Sequence, residues 1–461
     1  MKTNIIMLAD SYKYGHFLQY PKNMVYMYNY MEARKETDEI YITGLQYYLK
    51  EYLTKPITIK MVEEAKDFAQ KHGITFNYKG WKYIVKELNG KIPVRIKAIP
   101  EGYKAKSGIP LIVIESTDKN VPWIVGWLET LLMKIWYPST ITTKSKKIYD
   151  MLIKYGNKDW VKFALHNFGD RSMTSVEAAA ISGFAHNCIF LGTDNFHSLK
   201  FCKDYYNTDI SAFSVFATEH STTTINAFYE DEIKFVERML IENPNNPIMS
   251  FVADSFDVYN FTDKVSNPKE NIRKILEKNK QKLVIRPDSG NPINVLDKMF
   301  EIMEKNKVFD IQINGKKASS KYGILWGDGI NEIVIKDILE YFTKKGYAAE
   351  NFIFGCGTQL GQTGIDRDTY SFAIKYSYIE IKEKNKKIGI EVFKNPITSK
   401  NKQSKKGKII SVIDKKTNEL ICIKEQNFNK NFHKRIMEII YENGNIVKDI
   451  TLEDIRKNIF N

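Results

Sequence analysis

Three of the chain's nine arginines, Arg171, Arg286 and Arg367, sit in polar, glycine-bearing loops. A guanidinium group grips phosphate or carboxylate through two parallel hydrogen bonds, which a lysine ammonium cannot do. Lysine is the default cation of this sequence, so arginine at these places reads as a choice for planar recognition. A structural salt bridge is the alternative for each taken singly. Asp254, Asp257, Asp288 and Asp328 each follow a short apolar run. Carboxylates hold ribose diols, and Mg²⁺ is bound by one or two carboxylates together with substrate phosphates. Asp257 reads rather as an N-cap or Asx turn. His220, in Glu219-His220-Ser221, is the one histidine of seven at a predicted strand end with polar neighbours on both sides. It could be a general acid/base, a phosphate ligand or a covalent phosphoryl acceptor, and the residues alone do not choose.

Gly355-Cys356-Gly357 and Gly327-Asp328-Gly329 could each offer backbone N–H groups to an anion. Neither fits the G-x-x-x-x-G-K-[ST] loop or the G-x-G-x-x-G fingerprint, which argues against a P-loop kinase and a Rossmann dehydrogenase. Tyr12, in Asp-Ser-Tyr-Lys, and Phe168, near Arg171, could sandwich a flat heteroaromatic ring; core packing is the competing reading.

The elements that must position these groups follow a rhythm from about residue 160. A short apolar run ends in a polar cluster, and a longer amphipathic stretch follows. Seven runs can be read: 162–165, 188–191, 213–217, 248–253, 282–285, 322–326 and 351–354. Strand, polar loop and helix in repetition predict a parallel α/β sheet or barrel, with chemistry at the carboxyl ends of the strands. Strands that are apolar throughout fit burial on both faces. The rhythm stops after about residue 380. Strand-like segments at 408–414 and 419–424 and a helix-like segment at 452–459 follow. The expected organisation is an N-terminal α+β segment at 1–140, an α/β barrel at 141–380, and a segment at 381–461 that packs with the first as a discontinuous second domain.

Composition supplies limits. Hydrophobic residues make up 43% of the 461 and charged residues 27%, which describes a globular chain and excludes a disordered one. Four scattered cysteines exclude a disulfide scaffold and offer no CxxC pair for zinc, so a reducing cytoplasm is expected. The N-terminus does not read as a signal peptide. The most membrane-like stretch, 121–138, carries Glu129 and Lys134 and reads as a buried helix. Net charge is +14, and the window 382–408 holds ten lysines against two glutamates. Nucleic-acid binding on a barrel scaffold is the different-class reading of that charge, but no nucleic-acid motif accompanies it. A lysine-rich solvated surface, or loops that hold phosphorylated small molecules, are the others.

In order, Asp10-Ser11-Tyr12-Lys13, Phe168-Gly169 with Arg171, Gly192-Thr193-Asp194, Glu219-His220-Ser221, Asp254-Ser255-Phe256-Asp257, Arg286 to Pro292, Gly327-Asp328-Gly329, Arg367-Asp368 and Ser404-Lys405-Lys406-Gly407 span nearly the whole chain. This series resembles the nicotinamide phosphoribosyltransferase branch of the type II phosphoribosyltransferases, which also contain the nicotinate enzymes. The resemblance implies an irregular α/β barrel with a second α+β domain. It implies that nicotinamide attacks C1 of phosphoribosyl pyrophosphate, with Mg²⁺, to give the mononucleotide and pyrophosphate. It further implies a homodimer with sites at the interface, Asp10 and Tyr12 reaching in from the partner, and no role for nucleic acid or membrane.

Carried over residue by residue, Tyr12 and Phe168 would stack on the pyridine ring. Arg171 and Arg286 would hold phosphates and the carboxamide region. Asp194 would accept from the amide NH₂ and repel the carboxylate of nicotinate. Asp254 and Asp288 would position ribose and metal; Gly327, Asp328, Gly357, Thr358 and Arg367 would take the 5-phosphate side. Lys375, Lys394 and Lys402 would stand near phosphates. His220 would be phosphorylated by ATP, whose hydrolysis drives synthesis. The sequence departs from the branch at Asp170 in place of Tyr, Thr358 in place of Gly, Ala373 in place of Ser, and one extra residue before Arg367. Thr358 looks more like the nicotinate branch, which is the close alternative.

Overall fold

The computed structural model describes residues 4–384, 386–398 and 403–461. It divides into two compact units: Met1–Thr143, Cys202–Thr208 and Ile365–Asn461 form one, and Lys144–Phe201 with Asp209–Gly364 form the other.

The second unit is built on seven parallel strands: β1 (Leu165–Asn167), β2 (Gly192–Thr193), β3 (Phe216–Ala217), β4 (Ile248–Val252), β5 (Lys282–Arg286), β6 (Tyr322–Trp326) and β7 (Phe352–Cys356). Their order is β2-β1-β7-β6-β5-β4-β3. A parallel bridge between Gly192 and Phe213 joins the two edges, so the sheet curls into an irregular barrel. The runs expected at 248–253, 282–285, 322–326 and 351–354 fall on β4 to β7. The run at 213–217 ends in β3, whereas at 162–165 and 188–191 the pairing begins as the apolar run ends. Cys188–Leu191 closes out a helix, and the strand is the polar pair Gly192–Thr193, because the ladder partners there are His166 and Asn167. Gly192 is required: a Cβ would lie 2.4 Å from His166 Cδ2.

Each strand-end loop must stop one element and start another. Side-chain caps perform the start: Ser175, Asp257, Asn291 and Asn331 accept from backbone N–H groups at the heads of Val176–Asn187, Val258–Ser266, Pro292–Lys305 and Glu332–Lys344. Pro292 at the first turn of its helix costs no hydrogen bond. Apolar side chains such as Leu296, Met299, Ile335 and Leu339 are buried on those helices.

The first unit carries an antiparallel seven-stranded sheet in the order Lys386–Glu391, Phe372–Glu383, Met24–Ala33, Ile112–Ser116, Val94–Ala98, Glu438–Glu442, Asn445–Ile446. N- and C-terminal segments therefore share one sheet. A three-stranded antiparallel sheet (Ile409–Asp414, Leu420–Lys424, His433–Arg435) and the helix Leu452–Phe460 complete it. The stretch 121–138 is mostly buried helix, and its Glu129 is ion-paired with the buried Lys13. Among the described residues no helix is long and apolar enough to cross a membrane.

Candidate active site

The strand-end loops of the second unit bring most of the expected residues together. Asp254, after β4, is nearly buried and bridges two partners. His220 Nε2 lies 3.1 Å from its Oδ1, and the Ser289 hydroxyl donates to its Oδ2 at 2.5 Å. Asp288, after β5, has its pKa raised by burial, opposed by Arg286 and His220 and reinforced by Asp254 and Asp328. That one carboxyl senses four other expected site residues. Trp326 Nε1 donates to the Asp328 carbonyl at 2.7 Å and so pins the Gly327-Asp328 turn.

Phe168 follows β1 and donates its N–H to the Cys356 carbonyl at 2.9 Å. Its ring is seated on glycine. A Cβ on Gly355 would lie 2.1 Å from Phe168 Cε2, and one on Gly327 would lie 3.8 Å from the same atom and 3.0 Å from Asp288 Oδ1. The glycines thus serve ring placement as well as any anion. The Arg171 turn approaches Gly357, since Ser172 Oγ would be 3.6 Å from a Cβ there. Thr358 heads the short helix Thr358–Gly361. Asp194, after β2, donates its N–H to the Asn167 carbonyl at 2.9 Å.

Arg171 and Arg286 form no side-chain hydrogen bond or ion pair among the described residues, and Arg286 Nε is buried without a partner there. A buried unpaired guanidinium nitrogen is costly unless an anion completes it. The salt-bridge alternative therefore fails for both. Arg367, in the first unit, pairs with its neighbour Asp368 at 3.0 Å. Asp257 is an N-cap, as expected, accepting from Tyr259 and Asn260 N–H at 3.0 and 3.1 Å.

The first unit carries the remaining expected residues. Asp10 is clamped by Thr130, whose hydroxyl donates to Asp10 Oδ2 at 2.8 Å. Tyr12 is 63% exposed, in edge contact with His16 at 5.1 Å. Lys375 is half-buried, and burial, with Arg34 and Lys394 beside it, lowers its pKa against Glu129 and Glu32. Lys394 is tied to Ser404 by two hydrogen bonds of 2.8 and 2.9 Å. Lys402 lies outside the described residues.

Three groups escaped the sequence. Arg34 follows the strand Met24–Ala33, its Nε buried without a partner among the described residues; no motif marked it. Glu232 is half-buried, its pKa pushed up to about 7 by burial and by Asp231, Asp254 and Asp257. Its signal, an Asp-Glu pair at a helix start, is too common to read. Lys144 has its pKa lowered by burial and sends Nζ to 3.4 Å from the Thr363 carbonyl, near the loop after β7. Asp170, the departure from the branch, is paired with His197 Nδ1 at 2.9 Å.

Comparison with known proteins identifies the family. The nicotinate phosphoribosyltransferase (NAPRTase) family matches residues 163–439, and the nicotinamide phosphoribosyltransferase N-terminal domain matches residues 4–96. The chain is 35% identical to a nicotinamide phosphoribosyltransferase of Xanthomonas campestris, over 98% of this chain and 97% of that one. It is 29% identical to the enzyme of that name from Mycoplasma genitalium, over 91% and 96%. Among solved structures, a nicotinate-nucleotide pyrophosphorylase from Pyrococcus furiosus superposes with a TM-score of 0.62 at 15% identity, covering 100% of this chain and 95% of that one. Human nicotinic acid phosphoribosyltransferase gives 0.57 at 12%, covering 98% and 93%. These two share the fold. Matched by the family model over more than half of its length and by a 35% identical relative over nearly all of it, the chain belongs to the nicotinate phosphoribosyltransferase (NAPRTase) family and carries the nicotinamide phosphoribosyltransferase N-terminal domain.

Proposed function

We propose that the protein transfers the phosphoribosyl group of phosphoribosyl pyrophosphate to nicotinamide. The pyridine nitrogen forms a bond to ribose C1 as the C1–oxygen bond breaks, and the electron pair leaves with pyrophosphate. The observation that carries this reading is the convergence of Arg286, Asp288, Asp254, His220 and Asp328 beside a glycine-seated Phe168. Positive charge develops on the ribose and negative charge on the leaving group, so prepositioned cations and donors are the expected main catalytic term. Unpaired Arg171 and Arg286 suit the anionic part of the substrate. Gly327, Asp328, Gly357 and Thr358 would take the 5-phosphate side.

Asp194 distinguishes the bases: an ionised carboxylate accepts from the amide NH₂ of nicotinamide and repels the carboxylate of nicotinate. The full-length relatives named for nicotinamide support the amide over the acid. The test is Asp194→Asn or Ser, which should lower the ratio of kcat/KM for nicotinamide over nicotinate; an unchanged ratio removes Asp194 from this role.

Mg²⁺ fits as an ion that arrives with the substrate. Among the described residues no group of three or more His, Cys, Asp or Glu could hold a metal ion alone. One or two carboxylates, from Asp254 and Asp288, would complete a shell made chiefly of substrate oxygens. When bound, the ion neutralises charge on the departing pyrophosphate.

ATP would act through His220. Asp254 holds Nε2 at 3.1 Å, which leaves Nδ1 without a hydrogen bond among the described residues. Nδ1 would bond to the γ-phosphorus as ADP leaves, with Asp254 stabilising the charged ring.

A homodimer would supply Asp10 and Tyr12 from the partner. Supporting it, Ile225, Phe228, Tyr229 and Phe256, close in sequence to His220 and Asp254, are 68%, 84%, 82% and 57% exposed. Side chains of that size in one neighbourhood suit burial against a second copy. The cysteine usage fits a cytoplasmic setting.

A further inference from the structure

Asp194 has a companion. β2 and the segment before β3 run parallel, bridged at Gly192 and Phe213. Thr193 N–H donates to the Phe213 carbonyl at 2.9 Å, and Phe213 N–H donates to the Leu191 carbonyl at 2.7 Å. A parallel ladder advances both chains together, so Ser214 comes level with Thr193, one position short of Asp194, and its hydroxyl is within reach of the Asp194 carboxylate. The Ser214 hydroxyl donates to Asp194 Oδ1 at 2.5 Å. Its other acceptor, the Val215 carbonyl, lies at 3.5 Å and is too far to compete. Asp194 Oδ2 accepts no hydrogen bond among the described residues, and both side chains are exposed.

An aspartate carboxylate rotates over a broad, nearly two-fold range about its last torsion. A hydroxyl bonded to one oxygen selects one orientation. A main chain fixed at the Asn167 carbonyl, at 2.9 Å, selects the position. We infer that Ser214 is a second selectivity residue, a positioning residue that fixes the Asp194 carboxylate so that Oδ2 is left to receive the carboxamide NH₂. Ser214 has one hydroxyl proton to give. While Asp194 takes it, the pair offers an incoming base an acceptor and no donor, which suits an amide and excludes a carboxylate. The inference rests on the reading of Asp194 given above.

The experiment measures kcat and KM for nicotinamide and nicotinate, and KM for phosphoribosyl pyrophosphate, in the parent, Ser214→Ala, Ser214→Thr, Asp194→Asn and the Ala/Asn double variant. Loss of a hydrogen bond to a charged group should raise the nicotinamide KM of Ser214→Ala about tenfold. The KM for phosphoribosyl pyrophosphate should not follow, and Ser214→Thr, which keeps the hydroxyl, should recover most of the loss. On the Asp194→Asn background, Ser214→Ala should add little, because paired residues act as one unit. A parental nicotinamide KM in Ser214→Ala, or a penalty that persists in full on the Asn background, overturns the role of Ser214 and leaves Asp194 standing. A parental selectivity ratio in Asp194→Asn overturns the reading of Asp194, and that of Ser214 with it.

Discussion

Replacing Gly355 with alanine tests whether Phe168 is held where the chemistry needs it. The new Cβ would lie 2.1 Å from Phe168 Cε2 and 2.4 Å from Cδ2. Carbon atoms in contact settle at about 3.5–4.0 Å, so something must retreat by roughly 1.5 Å. Gly355 sits inside β7, between β1 and β6, so its backbone is held by both neighbours and the ring must move. Overpacking of this kind costs ~1–3 kcal/mol. At ~2–4 °C per kcal/mol for a unit of this size, the melting temperature should fall by several degrees. A catalytic group displaced by ~1 Å costs on the order of 10²-fold in rate, so kcat/KM for nicotinamide should fall about 30- to 100-fold. Gly327→Ala provides a graded comparison. Its nearest neighbour is the far end of the Asp288 side chain at 3.0 Å, and Phe168 is 3.8 Å away. The loss there should be about tenfold or less. Steady-state kinetics and thermal melts on the two variants check both arms. A Gly355→Ala enzyme within twofold of the parent in kcat/KM would refute the seating of Phe168.

Other consequences can be read directly. His220→Ala should abolish ATP stimulation and leave some basal transfer, measured as mononucleotide formed with and without ATP; stimulation that survives excludes a phosphohistidine. Phosphoribosyl pyrophosphate with Mg²⁺, at 100 times its dissociation constant, should stabilise the protein by about 2.7 kcal/mol in a melt, and Arg286→Ala should remove most of that shift. Burial pushes the Glu101 carboxyl up to about 7, against hydrogen bonds from Gln46 and Gly44 N–H. The folded state then holds this proton more tightly than the unfolded state. The stability it contributes is fully present below about pH 4.5 and is lost as pH rises through about 7. Relative to Glu101→Gln, the parent should lose up to about 3 kcal/mol across that window; parallel melting curves would contradict this. Chains carrying Tyr12→Ala and Arg286→Ala, each inactive alone, should recover activity when mixed and refolded, because a dimer with shared sites rebuilds one intact site.

How much was legible depended on whether the deciding interaction was local. β4 to β7 showed in the sequence because strands buried on both faces need continuous apolar runs. β2 did not, because its two residues are polar and its identity as a strand comes from partners at 166–167 and 213. The strand Phe372–Glu383 pairs with Met24–Ala33, some 350 positions away, and nothing local announces that partner. Asp257 as a cap was readable, since capping is decided within three residues. The arginines stood out because the rest of the chain uses lysine. Arg34, Glu232 and Lys144 did not, since what marks them is burial without a matching charge, a property only the folded chain has. Ser214 belongs with these: its meaning lies in a hydrogen bond to Asp194, twenty positions away, that only the paired strands make possible.

The most direct test of the central claim is a paired turnover assay. Purified protein receives phosphoribosyl pyrophosphate, Mg²⁺ and either nicotinamide or nicotinic acid, with and without ATP, and the mononucleotide is quantified. Product formed mainly from nicotinamide, and raised by ATP, is the predicted result. Product mainly from nicotinic acid would contradict the role given to Asp194, and no product from either base would contradict the proposed activity itself.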